Sequence, residues 1–78
     1  MAIVDQVINL AKEIEAGDPI DWSGLALQRD VVYIMLGLSV LEHVDAIHPL
    51  SERELILMAS VVKLTVENFV LEIRRNTA

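Results

Sequence analysis

Three features of the sequence predict an all-α fold: a three-helix antiparallel bundle, or a helical hairpin with an added N-terminal helix, assembling as a homo-oligomer. Apolar residues recur at helical spacing in three stretches, at about 3–16, 28–46 and 52–74. Apart from Gly37, every glycine and proline falls between those stretches. The third stretch carries two apolar seams, and one chain of this size has neighbours for one. All 78 residues are expected to form a single helical domain.

In the first stretch Ile3, Val4, Val7, Ile8, Leu10, Ala11 and Ile14 project onto one broad face. Asp5, Gln6, Asn9, Lys12 and Glu13 fill the other, the pattern of a surface helix. Glu13 and Glu15, two residues apart, are read as solvated charges that point away from one another. Gly17 suits a left-handed C-terminal position and Pro19 stops the helix. Asp18 to Gly24 then reads as a turn, in which Asp18 and Asp21 bond nearby backbone N–H groups and Asp21 or Ser23 caps a helical turn over 25–28. Trp22 sits in this acidic turn. It reads either as a plug over one end of the bundle or, with Asp18 and Asp21 as an acidic rim, as a candidate partner surface.

The second helix offers two apolar sides. Val31, Ile34, Met35, Leu38 and Leu41 form one stripe; Tyr33, Leu36, Gly37, Val40, Val44 and Ile47 lie opposite. Gly37 costs about 1 kcal/mol relative to alanine inside a helix, and its bare backbone admits a close neighbour. Tyr33, Leu36, Gly37 and Val40 are therefore expected to add to an oligomer interface. Pro49 ends the element, and Ser51 to Glu54 has the spacing of a capping box in which Ser51 and Glu54 bond one another's backbone N–H.

The third helix is the most informative. Leu55, Ala59, Val62, Val66, Phe69 and Ile73, with Met58 and Val70 beside them, form the stripe expected to pack on the first two helices. Leu57, Val61, Leu64, Asn68 and Leu71 form a second stripe roughly opposite, spaced alternately by four and three. Lys63 and Glu67 divide the stripes on one side; Glu54, Thr65 and Glu72 divide them on the other. Burying a leucine or valine contributes about 1.5–3 kcal/mol gross, so this second stripe rivals the whole net stability of a small domain. Self-association through it is the expected outcome. Asn68 would then set register, or lie at a solvated rim.

Composition narrows the function. The absence of cysteine excludes a disulfide framework and a thiolate zinc site, which leaves partner subunits as reinforcement for so small a core. Apolar residues make up 54% of the chain and mean hydropathy is +0.49, so much apolar surface needs covering. The run Val31–Leu41 is too short to span a bilayer, which takes about 20 residues. The start lacks the positive region of a signal peptide, and the chain reads as a soluble, cytoplasmic protein without a membrane role. Net charge of −6, with Arg74–Arg75 as the one adjacent basic pair, argues against nucleic acid as a partner. Glu42, His43, Asp45 and His48 lack the spacing of a metal site. No catalytic motif is present, and neither enzymatic activity nor a cofactor is expected.

Three segments in order, Leu10 to Glu15, Asp18 to Trp22 and Lys63 to Leu71, are similar to small uncharacterised proteins of T4-like viruses of marine cyanobacteria (cyanophages). The resemblance spans most of the chain and implies a viral protein acting in a bacterial cytoplasm; it transfers no site residues. Shorter segments resemble DNA-binding elements: Pro49 to Glu54 the opening of the LuxR-type helix-turn-helix, and Thr65 to Val70 the second helix of ribbon-helix-helix antitoxins. Both lack the glycine turn and basic surface of those families. The expected function is a non-enzymatic, homo-oligomeric interaction module, a viral accessory or regulatory protein acting on a host protein. A DNA-binding regulator built on a broken third helix, or a small virion assembly component, is the alternative.

Overall fold

The computed structural model describes residues 3–42 and 51–77. Within them the chain forms three helices, α1 (Ile3–Gly17), α2 (Arg29–Glu42) and α3 (Glu52–Thr77), and no strand. As α1 advances from Ile8 to Glu15, its neighbours on α2 retreat from Gly37 to Tyr33 and Arg29, so these two run antiparallel. Toward the end of α1 and beyond, Asp18 meets Lys63 and Asp21 meets Arg74, so α3 runs in the direction of α1. The result is an up-down-up bundle in which α1 makes its most extensive contact with α3.

Length sets the shape. At 26 residues α3 spans roughly 39 Å, nearly the full 44 Å long axis of the molecule. Neither shorter helix can cover it. The α1–α2 loop supplies the remaining cover, burying Ile20 and setting Trp22, Leu25 and Leu27 against the core.

Each terminus has a local cause. Ser51 accepts from the Glu54 N–H through Oγ at 3.2 Å, and its own N–H donates to Glu54 Oε1 at 2.9 Å, the reciprocal cap that the spacing predicts. At the start of α2 the Gln28 carbonyl accepts from Val32 N at 3.1 Å. The end of α1 differs from expectation. Gly17 stays within the helix, and Asp18 N closes it by donating to Glu15 O at 3.0 Å. The left-handed glycine is Gly24, φ 75°, third residue of a turn closed by Leu25 N on Trp22 O at 3.4 Å. Residues 25–28 form no helical turn. α3 continues without a break to Thr77, past the expected end near residue 74. The expected last turn of the second helix, with Val44 and Ile47, and the His43–His48 group lie outside the described residues.

The core is built mainly from small β-branched side chains: Val7, Ile8 and Ala11 from α1, Val32 and Tyr33 from α2, and Ala59, Val62, Val66 and Val70 from α3. On α3 the buried line follows Val62, Val66 and Val70. Phe69, expected inside, is left over one-third exposed because the line tracks the side of α3 that faces α1. On α2 the two sides are exchanged relative to expectation. Tyr33 and Gly37 are buried within the chain, Leu36 and Val40 pack partly against the core, and Val31, Ile34, Met35 and Leu38 face outward. Tyr33 and Gly37 are therefore withdrawn from the oligomer interface assigned to them.

Gly37 does admit a close neighbour, but it is the chain's own α1. A Cβ there would sit 2.9 Å from Ile8 Cγ1 and 3.1 Å from Ile8 Cδ1. Replacement by alanine gains about 1 kcal/mol of helix propensity and meets an overpacking cost of about 1–3 kcal/mol. Gly37→Ala should accordingly lower stability by about 1 kcal/mol in urea denaturation at fixed protein concentration. Combined with Ile8→Ala, the losses should fall short of additivity, because the second change removes the atoms that clash.

Candidate functional site

The acidic turn is tied to the rest of the chain, although the Asp18 and Asp21 side chains stay 78% and 72% exposed. Asp18 accepts from Lys63 Nζ at 2.9 Å, and Asp21 Oδ1 accepts from Ser23 N and Oγ at 3.1 and 2.6 Å. Arg74 Nη2 donates to the carbonyls of Asp21 and Ser23 at 2.7 and 2.6 Å and lies 3.4 Å from the Asp21 carboxylate. These bonds hold the Asp21 carboxyl below its ordinary value, through the Ser23 side chain first and then its N–H and Arg74. Trp22 turns its indole inward, donating from Nε1 to Glu15 at 3.0 Å with its ring centroid 6.4 Å from that of Tyr33. Trp22 thus closes one end of the bundle, while Asp18 and Asp21, expected to rim a partner surface with it, keep exposed carboxylates that also bond within the chain.

The centre of this arrangement is Glu15, which the sequence reading placed in solvent with Glu13. It is 5% exposed. Its Oε1 accepts from Tyr33 OH at 2.6 Å and Arg29 Nε at 3.1 Å; its Oε2 accepts from Trp22 Nε1 at 3.0 Å and Ile20 N at 3.4 Å. Burial pushes its pKa up, but the bonds from Tyr33, Trp22, Arg29 and Ile20 together outweigh that and leave it below the ordinary value. The Tyr33 hydroxyl moves strongly upward, from burial first and then from donating to a carboxylate. The signal was available: Glu15 stands four residues past Ala11 and seven past Ile8, on the buried stripe of α1.

Lys63, expected between the stripes at the surface, is also buried, at 2% exposed. It bonds Asp18 and lies 3.4 Å from Glu67, and these carboxylates raise its pKa against the opposing effect of burial. Lys12 bonds Asp30 at 2.8 Å, and Arg75 reaches Glu72 at 4.0 Å. Lys12, Arg29, Lys63, Arg74 and Arg75 are each matched by a carboxylate, so they build no basic patch. The unbroken α3 likewise removes the turn that either DNA-binding resemblance needs.

What remains open is apolar. On α3, Leu57, Val61, Leu64 and Leu71 are 50–61% exposed, with exposed Asn68 among them, directly opposite the line Ala59–Val62–Val66–Val70. On α2, Val31, Ile34, Met35 and Leu38 are 46–62% exposed, opposite Tyr33 and Gly37. Each stripe lies on the far side of its helix from the core, so the two point away from one another. A shallow concavity at the start of α3, lined by Ser51, Glu52, Arg53, Ile56 and Leu57, adjoins the first of them. Among the described residues no cluster of three metal-ligating side chains occurs, and no helix is long and apolar enough to cross a membrane.

Comparison with protein-family models, curated proteins and solved structures finds no match to this chain.

The Glu15 cluster makes a prediction in acid. Because its folded pKa is depressed, Glu15 contributes stability that is present above its unfolded value near 4.5 and is lost as pH falls through the lower folded value. Glu15→Gln sets an amide N–H₂ against donors and should cost about 2 kcal/mol at pH 7. Urea midpoints of wild type and variant should converge as pH falls below the depressed folded value of Glu15, where both carry a neutral side chain.

Proposed function

We propose that this protein is a non-enzymatic, self-associating helical interaction module. One observation carries the reading: the Leu57–Val61–Leu64–Leu71 stripe stands open along a helix whose other face is fully used. Each of these side chains leaves on the order of 100 Å² uncovered. The stripe therefore matches the largest apolar patch of a typical monomer, roughly 300–600 Å², and α2 carries a second of similar extent. With the stems of flanking residues, pairing α3 with a second copy buries roughly 1,000 Å² in total, the lower bound for a specific interface.

The α2 stripe is two turns long, and its most exposed member is Met35, a flexible side chain that adapts to varied surfaces. In this proposal it is the face left for a different protein, one that offers an amphipathic helix. The cyanophage resemblance supports a viral accessory or regulatory protein acting on a host protein in the bacterial cytoplasm. The matched basic residues and the charge of −6 support a protein partner over nucleic acid.

Light scattering after size exclusion tests the assembly. Wild type at tens of micromolar should have at least twice the chain mass, and Leu64→Glu should reduce it to one. Gln6→Glu, on the solvated face of α1, and Leu38→Glu, on the α2 stripe, should leave the oligomer intact. A monomeric wild type would sink the proposal. Gel-shift assays at low salt should give no complex with duplex DNA; a salt-sensitive shift would favour the DNA-binding alternative.

A further inference from the structure

We infer that the second copy lies parallel to and in register with the first along α3, with the two Asn68 side chains facing one another across the seam. This deepens the self-association proposed above and rests on it.

The spacing assigns the layers. Leu57, Leu64 and Leu71 occupy one heptad position, d, and Val61 and Asn68 the other, a. Leucine at d with a β-branched residue at a is the choice that favours two parallel strands, and a single asparagine at a fixes register. All five are exposed and centred opposite the core, so an identical helix can approach without disturbing the bundle behind it.

Asn68 decides the orientation. In parallel register its amide meets its own copy, and donor and acceptor pair across the axis. An antiparallel arrangement that keeps all five layers sets Asn68 against Val61 and leaves two amides buried without partners, one from each chain. An antiparallel arrangement centred on Asn68 avoids this by sliding the helices, which strands Leu57 and Val61 beyond the contact.

The flanking positions fit the same arrangement. Ser60 and Thr65 face each other across a parallel seam, and their hydroxyls already donate to Ile56 O at 2.9 Å and Val61 O at 2.7 Å, so covering them orphans neither proton. Glu67 would approach Glu72 of the second copy, a like-charge pair. Each has a cation on its own helix: Lys63 lies 3.4 Å from Glu67, and Arg75 lies 4.0 Å from Glu72. The seam has only about two heptads, short for an isolated coiled coil. Here α3 is already held helical by its packed face, so pairing bears no nucleation cost.

The natural chain lacks cysteine, so single-cysteine variants report the geometry directly. Leu57→Cys and Leu71→Cys lie at opposite ends of the seam on side chains outside the core, and circular dichroism confirms that each variant folds. Under mild oxidation each should form a covalent homodimer by itself, while a mixture of size-tagged versions should give almost no 57–71 cross-link. In the full-seam antiparallel arrangement residues 57 and 71 meet instead, and each position lies roughly 20 Å from its own copy. Efficient 57–71 cross-linking without self-linking therefore overturns the inference and leaves self-association standing. Asn68→Val should tighten association, lowering the dilution midpoint at least tenfold by sedimentation; an unchanged midpoint places Asn68 in solvent and overturns the register. A monomeric wild type removes the proposal beneath it as well.

Discussion

A carboxylate taken out of water is tolerated only where donors replace its hydration shell, and the architecture of this small bundle turns on how Glu15 meets that demand. Its four donors come from two further parts of the chain: Ile20 and Trp22 from the loop, Arg29 and Tyr33 from α2. Satisfying one side chain therefore fixes where α1 ends, how the loop folds back and how α2 is rotated about its own axis. Rotation is the consequential part. Both sides of α2 are apolar, and a core of valine and alanine offers few shapes by which to choose between them. Once Tyr33 must reach Glu15, Val31, Ile34, Met35 and Leu38 have to face outward. A polar contact inside the protein thus determines which apolar surface appears outside it.

A second set of charges does for α3 what Glu15 does for α2. Lys63 holds Asp18 from a buried position, and Arg74 grips the carbonyls of Asp21 and Ser23, so the loop is tied to the end of the helix that α1 and α2 are too short to reach. These contacts also account for the surface chemistry. Lys12, Arg29, Lys63, Arg74 and Arg75 are matched internally, which leaves a surface of excess negative charge crossed by two apolar stripes. Such a surface repels polyanions and carries its recognition in shape and apolar area. At −6 per chain, like copies repel at long range, so the proposed pairing gains from salt, the opposite of binding to nucleic acid.

The helices and the capping box at Ser51 were legible because they depend on local spacing and local chemistry. The outward seam of α3 was legible for the same reason: two stripes on one helix lie opposite each other whatever the rest of the chain does. The orientation of α2 was not, since two apolar sides carry equal weight in a helical projection and the deciding contact is eighteen residues away, at Glu15. Glu15 itself was misread by pairing it with Glu13 instead of placing it on the stripe of Ile8 and Ala11. The same habit put Lys63 at the surface. Charged residues are usually exposed, and sequence spacing does not reveal a partner 45 residues distant. Trp22 was assigned a place over the end of the bundle as one of two readings, and its indole N–H bond to Glu15 selects that one.

These observations also order folding and assembly. Tyr33, Trp22, Arg29, Lys63 and the Ser51 cap find their partners within one chain, so the internal polar architecture does not wait for a second copy. The outward stripe of α3 lies on the opposite side of the helix from the buried line and supplies none of these hydrogen bonds or ion pairs. The proposed pairing is therefore one of preformed monomers, in which association would stabilise the bundle by mass action instead of creating it. Coupling between the two is strongest at Val61 to Leu71, where the open seam and the buried line Val62–Val66–Val70 share the same turns of helix. Straightening or fraying α3 would spoil both faces at once, so the contacts that brace its last turns, above all Arg74 on the α1–α2 loop, maintain the seam while lying outside it.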